Sequence, residues 1–211
     1  MAGIGIMGGT FDPVHCGHLS LAEDAFRQVP LDQILFIPAK RSPFKLSRDM
    51  ASEEDRVAML RAAAAEMGDC YRVSSIEIER EGVSYTYETL RALRREYAAE
   101  GKEDPLYFIT GTDTYLNLEL WRKSAEILST TVFIVGQRPG YEDERLAEKM
   151  QYFRKTYGTR TLVIDNRELD ISSTEIRQRI RAREPLAGMV PKSVEQYIYE
   201  HGLYRTTEAE D

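Results

Sequence analysis

Short apolar segments alternate with amphipathic segments along most of this 211-residue chain. The apolar segments have strand-like lengths and are rich in β-branched and aromatic residues. They predict β-strands at Ile4–Met7, Gln33–Ile37, Tyr71–Ile78, Leu106–Thr110, Thr131–Val135 and Thr161–Ile164. Because most of these segments are apolar at successive positions, we expect both faces of their sheet to be covered.

The amphipathic segments carry apolar residues three and four positions apart, which is helical spacing. In one of them the apolar stripe consists of Ala22, Ala25, Phe26 and Val29. Helices are predicted over Leu19–Val29, Asp55–Met67, Thr86–Ala99, Ser173–Arg183 and Pro191–Gly202. Proline favours the start of a helix and glycine its end, which supports both bounds of the last one.

The alternation of strands and helices predicts the fold class. We expect an α/β fold, a Rossmann-like doubly wound parallel sheet with helices on both faces and a helical C-terminal segment. Residues 1–205 form a single predicted domain, and the polar, acidic residues 206–211 are predicted to be a disordered tail. Ligands of such sheets bind beyond the carboxyl ends of the strands.

Charge and composition narrow the classes of partner. The formal net charge is −7, which argues against nucleic acid and membrane surfaces as partners, because both attract basic proteins. The cysteines Cys16 and Cys70 have no CxxC spacing and fit a reduced, cytoplasmic protein. The sequence shows neither a signal-peptide pattern nor an apolar stretch approaching the ~20 residues that cross a bilayer.

The segment Pro38–Glu54 has little periodicity and contains prolines and several basic residues. A long irregular segment inside a compact domain usually has a function. We predict that it is mobile without ligand and becomes ordered over a bound ligand.

The first predicted strand leads into a glycine-rich turn that contains two histidines, His15 and His18. Backbone N–H groups of such a turn, followed by a helix N-terminus, can hold phosphate. Structural turn residues are one alternative, and a metal site that includes Cys16 is another. A closed zinc site needs about four ligands, more than this segment supplies, whereas phosphate binding accounts for Gly8 and Gly9 as well.

Two motifs carry a resemblance to a known superfamily. The residues of the turn, GGTFDPVHCGH, resemble the TFDP…HxGH signature of nucleotidyltransferases, and Ile171–Arg177, ISSTEIR, resembles the ISSTxIR motif of their adenylyltransferase branch. By itself the second motif also fits a helix cap, with Ser172 and Glu175 spaced as a capping box. Thr174 and Arg177 share a helix face, which suits phosphate binding at that helix start.

Further segments narrow the resemblance to bacterial-type nicotinate mononucleotide adenylyltransferases. They are GVSYTYETL from Gly82, LYFITGTDTYLNLELW from Leu106, VGQRPG from Val135 and the closing VPKSVEQYIYEHGLY from Val190. The order of the motifs is the same as in that family, and together they span about residues 3–204. The sequence departs from the family at Phe44, where histidine is usual, and at Thr112, where alanine is frequent.

The family resemblance implies an activity: transfer of AMP from ATP to nicotinate mononucleotide, giving deamido-NAD and pyrophosphate in NAD biosynthesis, with Mg²⁺ carried by ATP. It implies catalytic roles for His15 and His18. It implies ATP contacts from Gly8, Gly9, Thr10, Phe11, Lys45, Gly111, Asp113, Ser172, Thr174 and Arg177. It implies contacts to nicotinate mononucleotide from Tyr85, Thr86 and Trp121. No protein-borne metal site is expected, and the resemblance leaves room for a homodimer.

Local chemistry also favours an acid substrate. The segment Ser84–Thr86 opens a predicted helix, whose unpaired N–H groups favour a carboxylate over a neutral amide. Trp121 offers an aromatic face to a pyridinium ring. A plain helix cap and a buried core tryptophan remain alternative interpretations of these residues.

Other activities remain open as alternatives. They are adenylyl transfer to nicotinamide mononucleotide or phosphopantetheine, and, in a different class, nucleotide sensing by an inactive transferase domain. The cytidylyltransferase signature RTxGISTT is absent from the sequence. Retention of His15, His18, Lys45, Thr174 and Arg177 argues against an inactive domain.

Overall fold

The computed structural model describes residues 3–40, 50–101, 105–138, 140, 143–167 and 169–205. Its strands form one six-stranded sheet in which every pairing is parallel. The strands are β1 Gly3–Gly9, β2 Leu31–Pro38, β3 Tyr71–Val73, β4 Leu106–Gly111, β5 Val132–Gln137 and β6 Arg160–Asp165.

The strand order is β3-β2-β1-β4-β5-β6. The chain therefore proceeds outward from β1 in one direction and then, from β4, in the other. This reversal leaves a crevice beyond the carboxyl ends of β1 and β4, where doubly wound sheets bind ligands. The predicted α/β, Rossmann-like fold is confirmed.

Helices connect the strands and follow the last one. They are α1 Cys16–Gln28, α2 Glu53–Met67, α3 Thr86–Ala99, α4 Thr112–Leu116, α5 Ser124–Thr130, α6 Glu144–Tyr157, α7 Ser173–Arg181 and α8 Lys192–Glu200, with a 3₁₀ turn at Leu118–Leu120. None of the helices in the described part of the chain is long and apolar enough to span a membrane.

Two hydrophobic cores lie on opposite faces of the sheet. In β2, Ile34 and Phe36 belong to the core formed with α1, α2, α7 and α8, whereas Leu35 and Ile37 belong to the core formed with α3, α5 and α6. Successive side chains of a strand point to opposite faces. Burial on both faces thus explains why the strands are apolar without alternation.

Several predicted boundaries are corrected by the structure. The predicted strand Tyr71–Ile78 ends at Val73, because turns follow it and the amide of Glu79 donates to the carbonyl of Ser75 at 2.9 Å. The first helix starts at Cys16 rather than Leu19, because the carbonyl of His15 accepts the first helical hydrogen bonds.

Three further segments differ from their predicted extent. The two C-terminal helices are shorter than predicted and span only Ser173–Arg181 and Lys192–Glu200. The predicted irregular segment Pro38–Glu54 is shorter at both ends, because Pro38 closes β2 and Glu53 opens α2. Its residues 41–49, including Lys45 and Phe44, lie outside the described residues, as does the tail 206–211.

Candidate active site

Two cavities open at the carboxyl edge of the sheet, beside the reversal of strand order. The first, called here the Trp cavity, has a volume of about 420 Å³ and is lined by residues that include Gly8, Gly9, Thr10, Ser84, Tyr85, Thr86, Phe108 and Trp121. The second, called here the His cavity, has a volume of about 560 Å³ and is lined by residues that include His15, His18, Gly111, Asp113, Gly136, Leu169 and Ile171. The end of β1 and its turn thus contribute to both cavities.

The two histidines form one rigid unit at the start of α1. Their rings stack with centroids 3.7 Å apart, and the edge of Phe11 meets the His18 ring at 5.0 Å. The backbone amide of His15 donates to Nδ1 of His18 at 3.3 Å. An Nδ1 that accepts this bond favours the tautomer with its proton on Nε2, where it can be donated to an anion.

The glycine between the histidines is required by close packing. A Cβ atom at Gly17 would lie 3.1 Å from Nδ1 and 3.2 Å from Cε1 of His15. Such contacts are tighter than ordinary van der Waals distances, so any side chain at Gly17 would displace the His15 ring. The spacing His-x-Gly-His is therefore a packing requirement of the stacked pair.

Phe11 and Asp12 give the turn its shape. Phe11 is buried and has a φ of +49°, in the left-handed region that side chains rarely adopt. It packs edge-on against Phe36 at 6.0 Å as well as against His18. A backbone in this region is maintained only by the surrounding contacts, and such residues cluster at functional sites.

Asp12 connects the turn to distant parts of the chain. Its carboxylate oxygen Oδ1 accepts hydrogen bonds from the amide of Ala51 at 3.0 Å and from the hydroxyl of Tyr204 at 2.7 Å. Oδ2 lies 3.6 Å from Nη1 of Arg177. Burial and the Asp12 carboxylate raise the pKa of Tyr204, so its hydroxyl remains a hydrogen-bond donor at neutral pH.

Arg56 supports the same turn from α2. It is almost fully buried, and its guanidinium donates to the carbonyl of Thr10 at 2.7 Å and to that of Lys40 at 3.4 Å. Burial lowers the pKa of Arg56, while the charge of Asp12 acts in the opposite direction. This arginine was not predicted from the sequence, because it lies inside an ordinary amphipathic helix.

The start of α7 lies against the turn. Oγ of Ser172 accepts from the amide of Glu175 at 3.1 Å, the contact expected of an N-cap. Nη1 of Arg177 donates to the carbonyl of Asp12 at 2.6 Å, and Nη2 lies 3.4 Å from Oγ1 of Thr174. The two sequence motifs, far apart along the chain, are therefore in contact in the structure.

The Trp cavity combines an aromatic wall with a helix start. Trp121 is half-buried and meets the edge of Phe108 at 5.7 Å. Tyr85, at the N-cap position of α3, and Thr86, the first residue of that helix, line the same cavity. The guanidinium of Arg122 lies 4.8 Å from the centroid of the Tyr85 ring.

The structure brings nearly all predicted site residues to these cavities or to the adjoining start of α7. Phe11 is buried against the His18 ring and is not among the residues that line either cavity, and Lys45 lies outside the described residues. Sequence reasoning missed Asp12, Arg56, Glu77, Arg122 and Tyr204 as contributors. The family motifs could have indicated two of these residues, because Asp12 belongs to the TFDP segment and Tyr204 to the closing LY segment.

Cys16 has little reactivity in this setting. It lies within the HxGH segment, and its amide donates to the carbonyl of Met189 at 2.8 Å. Burial, together with the nearby Glu66, raises the pKa of the Cys16 thiol. A protonated thiol is a poor nucleophile and metal ligand. Within the described ranges, no group of three or more His, Cys, Asp and Glu residues could hold a metal ion.

Comparisons with known proteins agree with this geometry. A family model described as cytidylyltransferase-like matches residues 6–179. A protein of Thermoanaerobacter sp. (strain X514), named "probable nicotinate-nucleotide adenylyltransferase", is 38% identical over 97% of this chain and 95% of its own length. A relative of the same name from Carboxydothermus hydrogenoformans is 41% identical over 97% of this chain and 100% of its own length.

The chain belongs to the cytidylyltransferase-like family, in its nicotinate-nucleotide adenylyltransferase branch. Among solved structures, the nicotinic acid mononucleotide adenylyltransferase of Plasmodium falciparum complexed with NaAD is similar, with a TM-score of 0.78. Its sequence identity is 18%, and the match covers 97% of this chain and 98% of that one. At this identity the likeness bears on the fold alone, which it confirms for this member of the adenylyltransferase branch.

Proposed function

We propose that the chain transfers AMP from ATP to nicotinate mononucleotide, giving deamido-NAD and pyrophosphate in NAD biosynthesis. One observation carries the proposal: Arg177 of the second motif bonds the carbonyl of Asp12 in the first, 165 residues away in sequence. This contact joins a phosphate-binding turn and a second helix start beside two adjacent cavities. Two nucleotide substrates require two such cavities with a phosphate-binding region next to them.

Nicotinate mononucleotide occupies the Trp cavity in this proposal. The amide groups in the first turn of α3, at Thr86, provide hydrogen-bond donors and the positive end of the helix dipole for the nicotinate carboxylate. The ring of Trp121 provides a face for the pyridinium, and Tyr85 lines the same wall. The backbone of Gly8–Thr10 leads from this cavity toward the histidines.

ATP occupies the His cavity and the adjoining start of α7. Gly111 and Asp113 line this cavity at the end of β4, where the Asp113 carboxylate can accept a ribose hydroxyl. The backbone of Gly9–Phe11 follows the phosphate path. Ser172, Thr174 and Arg177, with Lys45, hold the β- and γ-phosphates through hydroxyl and cationic donors.

The chemistry is an in-line displacement at phosphorus. An oxygen of the acceptor phosphate forms a bond to the α-phosphorus, the bond from that phosphorus to the bridging oxygen breaks, and pyrophosphate leaves with the electron pair. The attacking phosphate is already anionic, so no protein nucleophile is required. The residues of the site position the substrates and stabilise charge, with His18 on the α-phosphate and His15 supporting the phosphate chain.

Mg²⁺ accompanies ATP in this proposal. Magnesium commonly keeps several waters and is bound mainly by substrate phosphates, so it requires few protein ligands. It supplies charge neutralisation on the β- and γ-phosphates. The proposal further includes a cytoplasmic location, which the free thiols of Cys16 and Cys70 support. A homodimer stays a prediction, to be tested by the molecular mass in solution.

The assignment of one substrate to each cavity is tested by steady-state kinetics with ATP and nicotinate mononucleotide. Trp121→Leu should raise the KM for nicotinate mononucleotide about tenfold and leave the KM for ATP within about twofold, since one stacking contact is lost. Asp113→Asn should show the converse pattern. Equal effects of both variants on both KM values would contradict the assignment, and absence of turnover in the unmodified protein would contradict the function.

A further inference from the structure

Glu77 is a buried acidic residue in the wall of the Trp cavity. The residue is 8% exposed, and it lines the cavity together with Ser84, Tyr85 and Thr86. It belongs to the turns between β3 and α3. A buried carboxyl group is costly unless hydrogen bonds satisfy it, so its position in a substrate cavity requires an explanation.

The carboxyl group of Glu77 holds both ends of the segment that opens α3. Oγ1 of Thr89, in the first turns of the helix, donates to Oε1 of Glu77 at 2.6 Å. Ser84, just before the helix, forms a second side-chain hydrogen bond with Glu77. Arg80 donates to Oγ1 of Thr89 at 3.3 Å, which leaves the Thr89 proton directed to Glu77.

A third element joins this network. The backbone amide of Lys40, just beyond the end of β2, donates to Oγ of Ser84 at 3.2 Å. Lys40 immediately precedes the region that contains Lys45. The hydrogen bonds of Glu77 thus link the start of α3 to the end of β2 across one side of the Trp cavity.

The charges around Glu77 fit a role in positioning. Burial raises the pKa of Glu77, whereas its hydrogen bonds with Thr89 and Ser84 and the charge of Arg80 act in the opposite direction. The negative charge of Glu88 in α3 opposes ionisation of Glu77. Oε2 of Glu88 lies 3.8 Å from Nη1 of Arg80, and this cation partly offsets the charge of Glu88. An ionised carboxylate directed at an anionic substrate would weaken binding. Hydrogen bonds from Thr89 and Ser84 direct the carboxyl group of Glu77 to protein donors, which reduces this repulsion.

We propose that Glu77 is a positioning residue for the acceptor: by bonding Ser84 and Thr89 it fixes the segment Ser84–Thr86 against which the pyridine ring and its carboxylate bind. This inference rests on the proposed function. It is specific to the acceptor, because Glu77 lines the Trp cavity and is not among the residues that line the His cavity. Loss of these bonds should therefore weaken acceptor binding without altering ATP binding.

The sole tryptophan of the chain allows a direct test without turnover. Nicotinate mononucleotide is titrated while the fluorescence of Trp121 is followed, for the unmodified protein and for Glu77→Gln. The variant should bind the acceptor about fivefold to tenfold more weakly, since one partner of a buried hydrogen bond is lost. The KM for ATP should stay within about twofold, and thermal denaturation should show a folded protein.

A matched pair on α3 repeats the test without changing the acid. Thr89→Val removes the hydroxyl donor at nearly constant volume, and Thr89→Ser retains it. Weaker acceptor binding in Thr89→Val, with recovery in Thr89→Ser, supports the inference even if Glu77→Gln fails to fold. The control is Glu79→Gln, an exposed acid in the same segment, which should bind the acceptor as the unmodified protein does.

Two results would overturn the inference. One is unchanged acceptor binding in both Glu77→Gln and Thr89→Val. The other is a parallel rise of the acceptor dissociation constant and the KM for ATP, which would indicate a general structural role. Failure of the proposed function is distinguishable, because the unmodified protein would then show neither fluorescence change with nicotinate mononucleotide nor turnover.

Discussion

His18 is fixed from several directions before any substrate binds. The His15 ring stacks on it, Phe11 meets its edge, and the amide of His15 occupies its Nδ1 atom. A donor that is already oriented loses little entropy when charge develops on a phosphate oxygen. In the proposed mechanism, this preorganisation allows His18 to stabilise charge at the reacting phosphorus.

Replacement of His18 should therefore affect turnover more than folding. His18→Ala is expected to lower kcat by about 10²-fold, the scale for loss of one transition-state donor. His201→Ala, at the exposed end of α8, is the control and should retain normal kcat. Steady-state rates of pyrophosphate release measure both. Near-normal kcat in His18→Ala would contradict the assigned role.

At the residue scale, the motif members could be predicted, whereas the contacts by which other residues support them could not. His15, His18, Thr174 and Arg177 stand in recognisable patterns, so their assembly was expected. Arg56 has no local signal, because its guanidinium is satisfied by the carbonyl of Thr10, which lies 46 residues away in sequence. The bond between Tyr204 and Asp12 spans 192 residues, a distance over which periodicity carries no information.

Helix starts are the elements that build this site. α1, α3 and α7 all begin at the carboxyl edge of the sheet, where their first amides and their dipoles favour anions. Ser172 caps α7, and Ser52 caps α2 in the same way, through a bond of 3.0 Å from the amide of Asp55. The two caps make the same kind of hydrogen bond, but of these two helices only α7 begins with predicted ATP contacts. Ser52 can therefore serve as the control for Ser172.

Substitutions of the two capping serines distinguish an effect on the free energy of unfolding from an effect on ATP binding. Ser172→Ala and Ser52→Ala should each lower the free energy of unfolding by about 1 kcal/mol, the usual cost of a lost N-cap. Only Ser172→Ala should also raise the KM for ATP, by about threefold or more, because the start of α7 loosens. Urea unfolding and ATP kinetics measure the two effects. An equal KM for ATP in both variants would contradict the role of this helix start.

At the element scale, the sequence predicted the sheet better than the connections. All six strands are predicted from the sequence, but the prediction for β3 is too long, because the apolar residues Ile76 and Ile78 follow Val73 at strand-like density although they lie in turns. Helices α4, α5 and α6 were not predicted. α4 and α5 have only 5 and 7 residues, too few for a helical period to stand out.

In the whole molecule the sheet is covered on both faces, and this burial extends to a side chain of the edge strand β3. Tyr71 on β3 is buried beside Phe26, with ring centroids 5.5 Å apart. Burial, assisted by Cys70 and Glu23, raises the pKa of Tyr71 to about 12. An unfolded tyrosine ionises near pH 10, so between pH 10 and 12 the folded state binds more protons than the unfolded state.

The free energy of unfolding should therefore fall as the pH rises through this interval. Tyr71→Phe should make the fall shallower, because the variant has no hydroxyl to ionise at this position. Tyr199→Phe, at an exposed tyrosine, should leave the slope unchanged. Urea unfolding at several pH values measures it, and an identical slope in Tyr71→Phe and the unmodified protein would contradict the cause assigned here.

Adenylyl transfer to nicotinate mononucleotide is the property that the whole arrangement explains. The most direct measurement incubates the protein with ATP, Mg²⁺ and one acceptor at a time: nicotinate mononucleotide, nicotinamide mononucleotide or phosphopantetheine. The dinucleotide and pyrophosphate are then quantified. We expect deamido-NAD and pyrophosphate in equal amounts, with the highest kcat/KM for nicotinate mononucleotide. No deamido-NAD, or a higher kcat/KM with either of the other acceptors, would contradict the proposed function.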